Sequence, residues 1–173
     1  MASKTTKIAD VVKPLSWLLG TWKSINACSV FPTMKEPVKY HELLTFSSIG
    51  DPFLIYNSLT WDEKNTKYMH VEGGHLRIME DGCSVTLLTS QNFGICSVED
   101  GKLENNSIQV DATIISHSKF CPKKVCGIRR CFCLNKEGKL EYKMCLQTEE
   151  VPLTEHLVVC YEKLNAKNKK KKC

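Results

Sequence analysis

The chain has 173 residues, a length suited to one domain with an interior large enough to enclose a small ligand. Apolar residues make up 42% and charged residues 25%, with no apolar run beyond a few residues, which excludes a disordered polymer and a membrane-spanning helix. The 24 basic and 19 acidic residues give a formal net charge of +5, but Lys167 to Cys173 holds five lysines and no acid, so the remainder is balanced. The sequence therefore divides into a polar N-terminal segment (1–12), one domain (13–164) and a basic disordered tail (165–173). Lysines without interleaved aromatics attract phosphate but cannot read bases, so no sequence-specific nucleic-acid partner is expected.

Pro14-Leu-Ser-Trp17-Leu-Leu-Gly20 reads as a short helix with proline in its first turn and glycine at its end. Strand grammar follows, beginning with a short strand after Gly20. Val38, Tyr40, Glu42, Leu44 and Phe46 share one face of the first clear strand, and Gly50-Asp-Pro52 turns the chain. Phe53 to Trp61 is a second run, and Tyr68 to Ile78 a third, in which Gly73-Gly74 predicts a bulge or a sharp bend. Further runs are Cys83 to Ser90, Ile95 to Val98, Ile108 to Ser116, Val125 to Leu134, Leu140 to Gln147 and His156 to Lys163. Glu80-Asp-Gly82, Glu99-Asp-Gly101, Glu104-Asn-Asn106 and Asn135 to Gly138 are read as the intervening turns. About ten strands and no helix long enough to cover a parallel sheet predict an all-β fold, an antiparallel up-and-down barrel whose mouth the N-terminal helix helps to close.

Ten cysteines would suggest disulfides in a secreted chain, but the first ten residues lack the apolar core of a signal peptide. The expected compartment is the cytoplasm, with the nucleus as a second location reached through the Lys-rich tail. Cys121, Cys126, Cys131 and Cys133 do not match the knuckle spacing of structural zinc and are read as strand thiols. Phosphate loops, nucleophile elbows and His-Glu-x-x-His are absent, and the Glu99-Asp100 and Glu149-Glu150 pairs fall at predicted turns as solvated charge. Among five histidines, His41 reads as exposed, His117 as loop, and His70 and His75 as flanking the glycine pair with unreadable direction. His156 opens the last strand on the face of Val158 and Cys160, where an imidazole projecting from a barrel wall can ligate a metal or haem iron.

Several motifs share one resemblance: Leu15-Ser-Trp17-Leu-Leu-Gly20-Thr-Trp22, Phe31-Pro-Thr33, Met69-His-Val-Glu72-Gly-Gly74-His-Leu-Arg77, Gln91-Asn-Phe-Gly94 and Pro152-Leu-Thr-Glu-His156-Leu-Val-Val-Cys-Tyr161. In this order, from about Lys13 to Lys163, the chain resembles the nitrobindin family, in particular the nitrobindin domain at the C-terminus of an animal THAP-domain protein. The resemblance implies a ten-stranded barrel related to fatty-acid-binding proteins with haem b at its mouth. It implies His156 as axial iron ligand and Thr33 beside the haem. It further implies nitric oxide binding at ferric iron and isomerisation of peroxynitrite to nitrate, so that the partners are small molecules, with a homodimer left open. Where the family has Gly-x-Trp-x-Gly-x-Gly, this chain has Gly20-Thr-Trp22-Lys-Ser24-Ile-Asn26, and the two lost glycines bear on the loop before Phe31 and on haem affinity. His75 replaces a usual aromatic and is read as a harmless change. The competing reading is a haem-free barrel carrying an apolar ligand or binding a protein. Its carboxylate anchor would come from Arg77, Arg129 or Arg130, of which the last two point to opposite faces.

Overall fold

The computed structural model describes residues 8–164, so the basic tail and most of the polar N-terminal segment lie outside the described residues. Ten strands follow a 3-10 helix, Asp10–Leu18: β1 (Gly20–Ser29), β2 (Val38–Ser47), β3 (Phe53–Asp62), β4 (Tyr68–Ile78), β5 (Ser84–Gln91), β6 (Ile95–Glu104), β7 (Ser107–His117), β8 (Val125–Leu134), β9 (Leu140–Thr148) and β10 (Thr154–Lys163). Each strand pairs antiparallel with its neighbours in sequence, and β1 pairs with β10 to close the barrel. Closure leaves no free edge, and the inward positions of alternating strands, such as Leu44, Phe46, Leu76, Ile128 and Phe132, form the core.

The helix differs from expectation in three ways. Pro14 lies in its middle, Gly20 is the first residue of β1 at φ 114°, and the helix sits at the end of the barrel where β1 begins. It buries Val12, Leu15 and Leu18, each worth roughly 1.5–3 kcal/mol of apolar transfer. The buried Trp22 indole N–H, which donates to the Leu18 carbonyl at 2.7 Å, ties it to β1. The helix thus plugs the end opposite the open mouth.

Two turn signals are also corrected. Gly73-Gly74 is no bulge: the β3–β4 register runs unbroken from Phe53↔Arg77 to Leu59↔Val71, with Glu72 and Leu76 inward and His75 outward. Gly74 is needed because a Cβ there would collide with the Leu88 carbonyl of β5. Glu99-Asp100-Gly101 lies within β6, where a Cβ on Gly101 would strike the Gln109 carbonyl. In both places glycine serves close strand approach, which looks in sequence like a turn.

The nine described cysteines are free thiols, and among the described residues no His, Cys, Asp and Glu group is arranged to hold a metal ion. Gly74→Ala is expected to cost at least about 1–3 kcal/mol of stability in urea unfolding. Gly73→Ala, whose Cβ would meet only the Asn57 side chain at 3.3 Å and the Tyr56 carbonyl at 3.9 Å, should be well tolerated.

Candidate functional site

Where β1 ends and β10 begins, the barrel opens into a cavity of about 390 Å³. Its upper wall is apolar, with Met69, Phe93, Ile95, Ile128, Met144 and Leu146.

His156 reaches this space through a break in β10. Along the strand Val159 and Tyr161 are buried inside while Val158 and Cys160 face outward, so simple alternation would turn His156 outward as well. The expected shared face with Val158 and Cys160 is therefore overturned. The β9–β10 register shifts between Glu155↔Cys145 and Leu157↔Met144, leaving His156 without a partner on β9, and this bulge swings the imidazole to the cavity side. Two bonds then fix it. The Val30 N–H donates to the His156 carbonyl at 2.8 Å, and His156 Nδ1–H donates back to the Val30 carbonyl at 2.9 Å. Phe31 packs edge-on against the ring at 5.3 Å. With Nδ1 engaged, Nε2 carries the lone pair, and among the described residues it makes no hydrogen bond. Burial pushes the His156 pKa below the ordinary histidine value, against the pull of the Val30 bond, so the ring stays neutral.

Across the barrel, on β4, His70 also lines the cavity, with Nε2 3.2 Å from Glu72 Oε2 and its ring tilted on Phe93. Below lies a polar cluster. Arg130, 1% exposed, donates from Nε to both Glu99 oxygens at 3.1 and 2.9 Å and from Nη1 to the Tyr142 hydroxyl at 3.1 Å. Its Nη2 lies 2.8 Å from Glu72 Oε1, a charge contact outside hydrogen-bond alignment. Glu99 also accepts from Ser97 Oγ, and Glu42 accepts from Ser58 Oγ at 2.6 Å. Burial would raise Glu72, but Arg130 and His70 hold its carboxyl below the usual range. Burial raises Glu99 and Glu42.

The model of one family, described as a THAP4-like, heme-binding beta-barrel domain, matches residues 11–163. The chain belongs to this family. A rat protein named "Peroxynitrite isomerase THAP4" is 36% identical over 160 residues, covering 91% of this chain and 28% of that protein. This chain thus spans little more than a quarter of that relative. An Arabidopsis thaliana protein named "Peroxynitrite isomerase Rv2717c" is 33% identical over 155 residues, 88% of this chain and 89% of its own length. The crystal structure of Rv2717c from M. tuberculosis superposes with a TM-score of 0.82 at 25% identity, covering 92% of this chain and all of that one. The nitrobindin-type barrel is thereby established, with haem as the family's cofactor.

The site fits that cofactor. A neutral imidazole with a free Nε2 faces an apolar space and is held by a backbone carbonyl, the donor arrangement that a singly ligated haem requires. Thr33 stands exposed in the turn after β1 and is not part of the cavity wall, although Phe31 of the same turn touches His156. His41 lies outside, against Trp61; His75 is exposed against Phe53; and His117 Nε2 accepts the Val125 N–H at 3.1 Å. None of the three lines the cavity.

Sequence reasoning missed the buried cluster. Glu99 is fully buried rather than solvated, because β6 continues through it. A signal existed in Glu42 among Tyr40, Leu44 and Phe46 and in Arg130 between Ile128 and Phe132: charges in phase with apolar faces. Arg130→Met should lose about 3–5 kcal/mol at pH 7, since it leaves Glu72 and Glu99 buried without their cation. Both carboxyls would then titrate above their unfolded values, so folding takes up protons and the variant should regain stability from pH 7 down to pH 5. Urea midpoints at the two pH values check this.

Proposed function

We propose that this chain binds a b-type haem through His156 Nε2, takes up nitric oxide at the ferric iron and isomerises peroxynitrite to nitrate. The observation that carries the reading is the bulge-directed His156, bonded through Nδ1 to Val30 and open at Nε2, in a member of a heme-binding family whose relatives are named peroxynitrite isomerases. Ferric haem, when bound, supplies the electrophilic centre at which the O–O bond of peroxynitrite is broken and its fragments rejoin as nitrate.

The chain's part is positional. The Val30 carbonyl fixes the tautomer and raises the basicity of Nε2, and Phe31 restrains the ring plane. Met69, Phe93, Ile95 and Leu146 give the cavity an apolar wall. His70 is the imidazole on the opposite wall, and its Nε2 proton rests on Glu72. Thr33, at the rim, is assigned a place beside the haem edge. The basic tail after residue 164 is read as separate from the barrel, and the cytoplasm, with the nucleus second, as the compartment.

The fatty-acid-carrier alternative lacks its anchor. Arg129 faces outward to Asp111, and the inward Arg130 is already matched by Glu72 and Glu99, so neither arginine is free to anchor a carboxylate in the cavity.

Titration of the purified chain with hemin should produce a Soret band that shifts with nitric oxide, and His156→Ala should abolish it. An unchanged spectrum in that variant ends the assignment. Hemin affinity should stay level from pH 7.5 to about 6.5, where an ordinary histidine is already half protonated, because the folded ring titrates lower; it should fall only at more acid pH.

A further inference from the structure

Beneath the imidazole, the cavity floor contains polar atoms that the haem reading does not use. Tyr40, 6% exposed, and Glu42, 3% exposed, both line the cavity. Among the described residues the Tyr40 and Tyr161 hydroxyls lie beside the Glu42 carboxyl, but neither they nor Glu42 Oε2 make an aligned hydrogen bond. Most buried polar atoms in proteins are satisfied, and leaving one unmet costs free energy, so polar atoms converging on one space mark a place where a partner belongs.

The kind of partner follows from the protonation of Glu42. Ser58 Oγ donates to Oε1, which leaves Oε2 as the oxygen that carries the acid proton. Burial is the main cause that raises the Glu42 carboxyl above the ordinary range and favours the protonated acid, with the nearby Glu72 charge adding to it, and no cation pairs with Glu42 as Arg130 pairs with Glu99. Tyr40 is likewise held as the neutral phenol by burial. Two neutral O–H donors facing an apolar space form an acceptor site for oxygen, the arrangement by which a protonated acid and a tyrosine can hold a carbonyl or phenolic oxygen. The walls beside them are aromatic: Tyr56 and Tyr142 line the cavity, and Phe132 stacks behind Tyr142 at 4.7 Å. Flat walls select a planar ligand, and about 390 Å³ admits one of bicyclic size. A carboxylate is disfavoured by Glu72 and finds no free arginine.

We infer that the cavity floor binds a neutral, planar, apolar molecule carrying one phenolic or carbonyl oxygen, which is held between Tyr40 Oη and Glu42 Oε2. Tyr40, Glu42 and His156 line the same cavity, so the inference concerns the chain without haem.

The test uses the full chain without added hemin and three naphthalene probes read by fluorescence: 2-naphthol, 2-methylnaphthalene, which has nearly the same shape without the oxygen, and 2-(aminomethyl)naphthalene, which is a cation. Naphthol should bind about tenfold more tightly than the methyl compound, as expected for a hydrogen bond that satisfies buried donors. Tyr40→Phe removes only a hydroxyl that makes no aligned intramolecular hydrogen bond, so the fold should be kept. It should cut naphthol affinity about tenfold and leave methylnaphthalene binding unchanged. Equal affinities for the two neutral probes, an unaltered naphthol affinity in Tyr40→Phe, or no naphthol binding overturns the proposal. Tighter binding of the ammonium probe also overturns it, since the site would then favour a cation over a neutral oxygen. A wild-type chain without a Soret band would refute the haem reading and leave the naphthol result standing.

Discussion

The geometry of the site depends on one irregularity, the bulge that leaves His156 unpaired on β9. A regular β10 would put Leu157 on the inner face with Val159 and Tyr161, and His156 outside with Val158 and Cys160. The extra residue lets both His156 and Leu157 face the cavity while Val159 and Tyr161 remain in the core. A bulge alone would leave the imidazole free to rotate. The paired bonds with Val30, one backbone and one side chain, set both its position and its tautomer, and they come from the segment that follows β1. Closure of β1 on β10 therefore does more than remove an edge: it brings residue 30 to residue 156 and gives the ligand its orientation.

The buried charges set the second constraint. Three glutamates face one arginine in the interior, and ion pairs taken out of water seldom repay their desolvation unless the remaining lone pairs and protons are also met. Here they are met unevenly. Arg130 is matched by Glu72, Glu99 and Tyr142, while Glu42 has Ser58 on one oxygen and nothing aligned on the other. This asymmetry divides the polar floor in two. One part is a closed ion cluster that holds β4, β6 and β8 in register across the barrel. The other is an uncharged donor set open to the cavity.

The barrel was legible in the sequence because alternation and recurrent turns survive without tertiary information: all ten strands were anticipated, and His156 could be singled out. The direction of His156 was not legible, since a bulge shifts the side-chain phase by one and leaves no compositional mark. The glycines misled for a related reason. Gly74 and Gly101 permit the close approach of neighbouring strands, and beside Asp100 such a glycine looks like a turn, which disguised Glu99 as solvated charge. Arg130 and Glu42 could be placed on inward faces, but their partners come from strands distant in sequence, so no local pattern announced the cluster.

The departure from the family's glycine pattern is resolved by the same backbone. Neither Ser24 nor Asn26 has positive φ, and both lie within β1 rather than in a loop, so their side chains introduce no backbone strain. β1 bulges at this point: its register with β2 breaks between Lys23 and Cys28, and its register with β10 skips Ile25. The break deprives the Glu42 N–H of a ladder partner on β1, and the buried Ser24 hydroxyl, 2.8 Å away, accepts that hydrogen bond. A glycine in the same place would leave this donor to another group. Beyond the bulge the β1–β10 ladder is regular again from Asn26↔Cys160 to Ser29↔Leu157, so the disturbance ends before the chain reaches Val30. The lost glycines therefore act on the cavity floor, where Ser24 steadies the backbone of Glu42, and leave the bonds that orient His156 untouched.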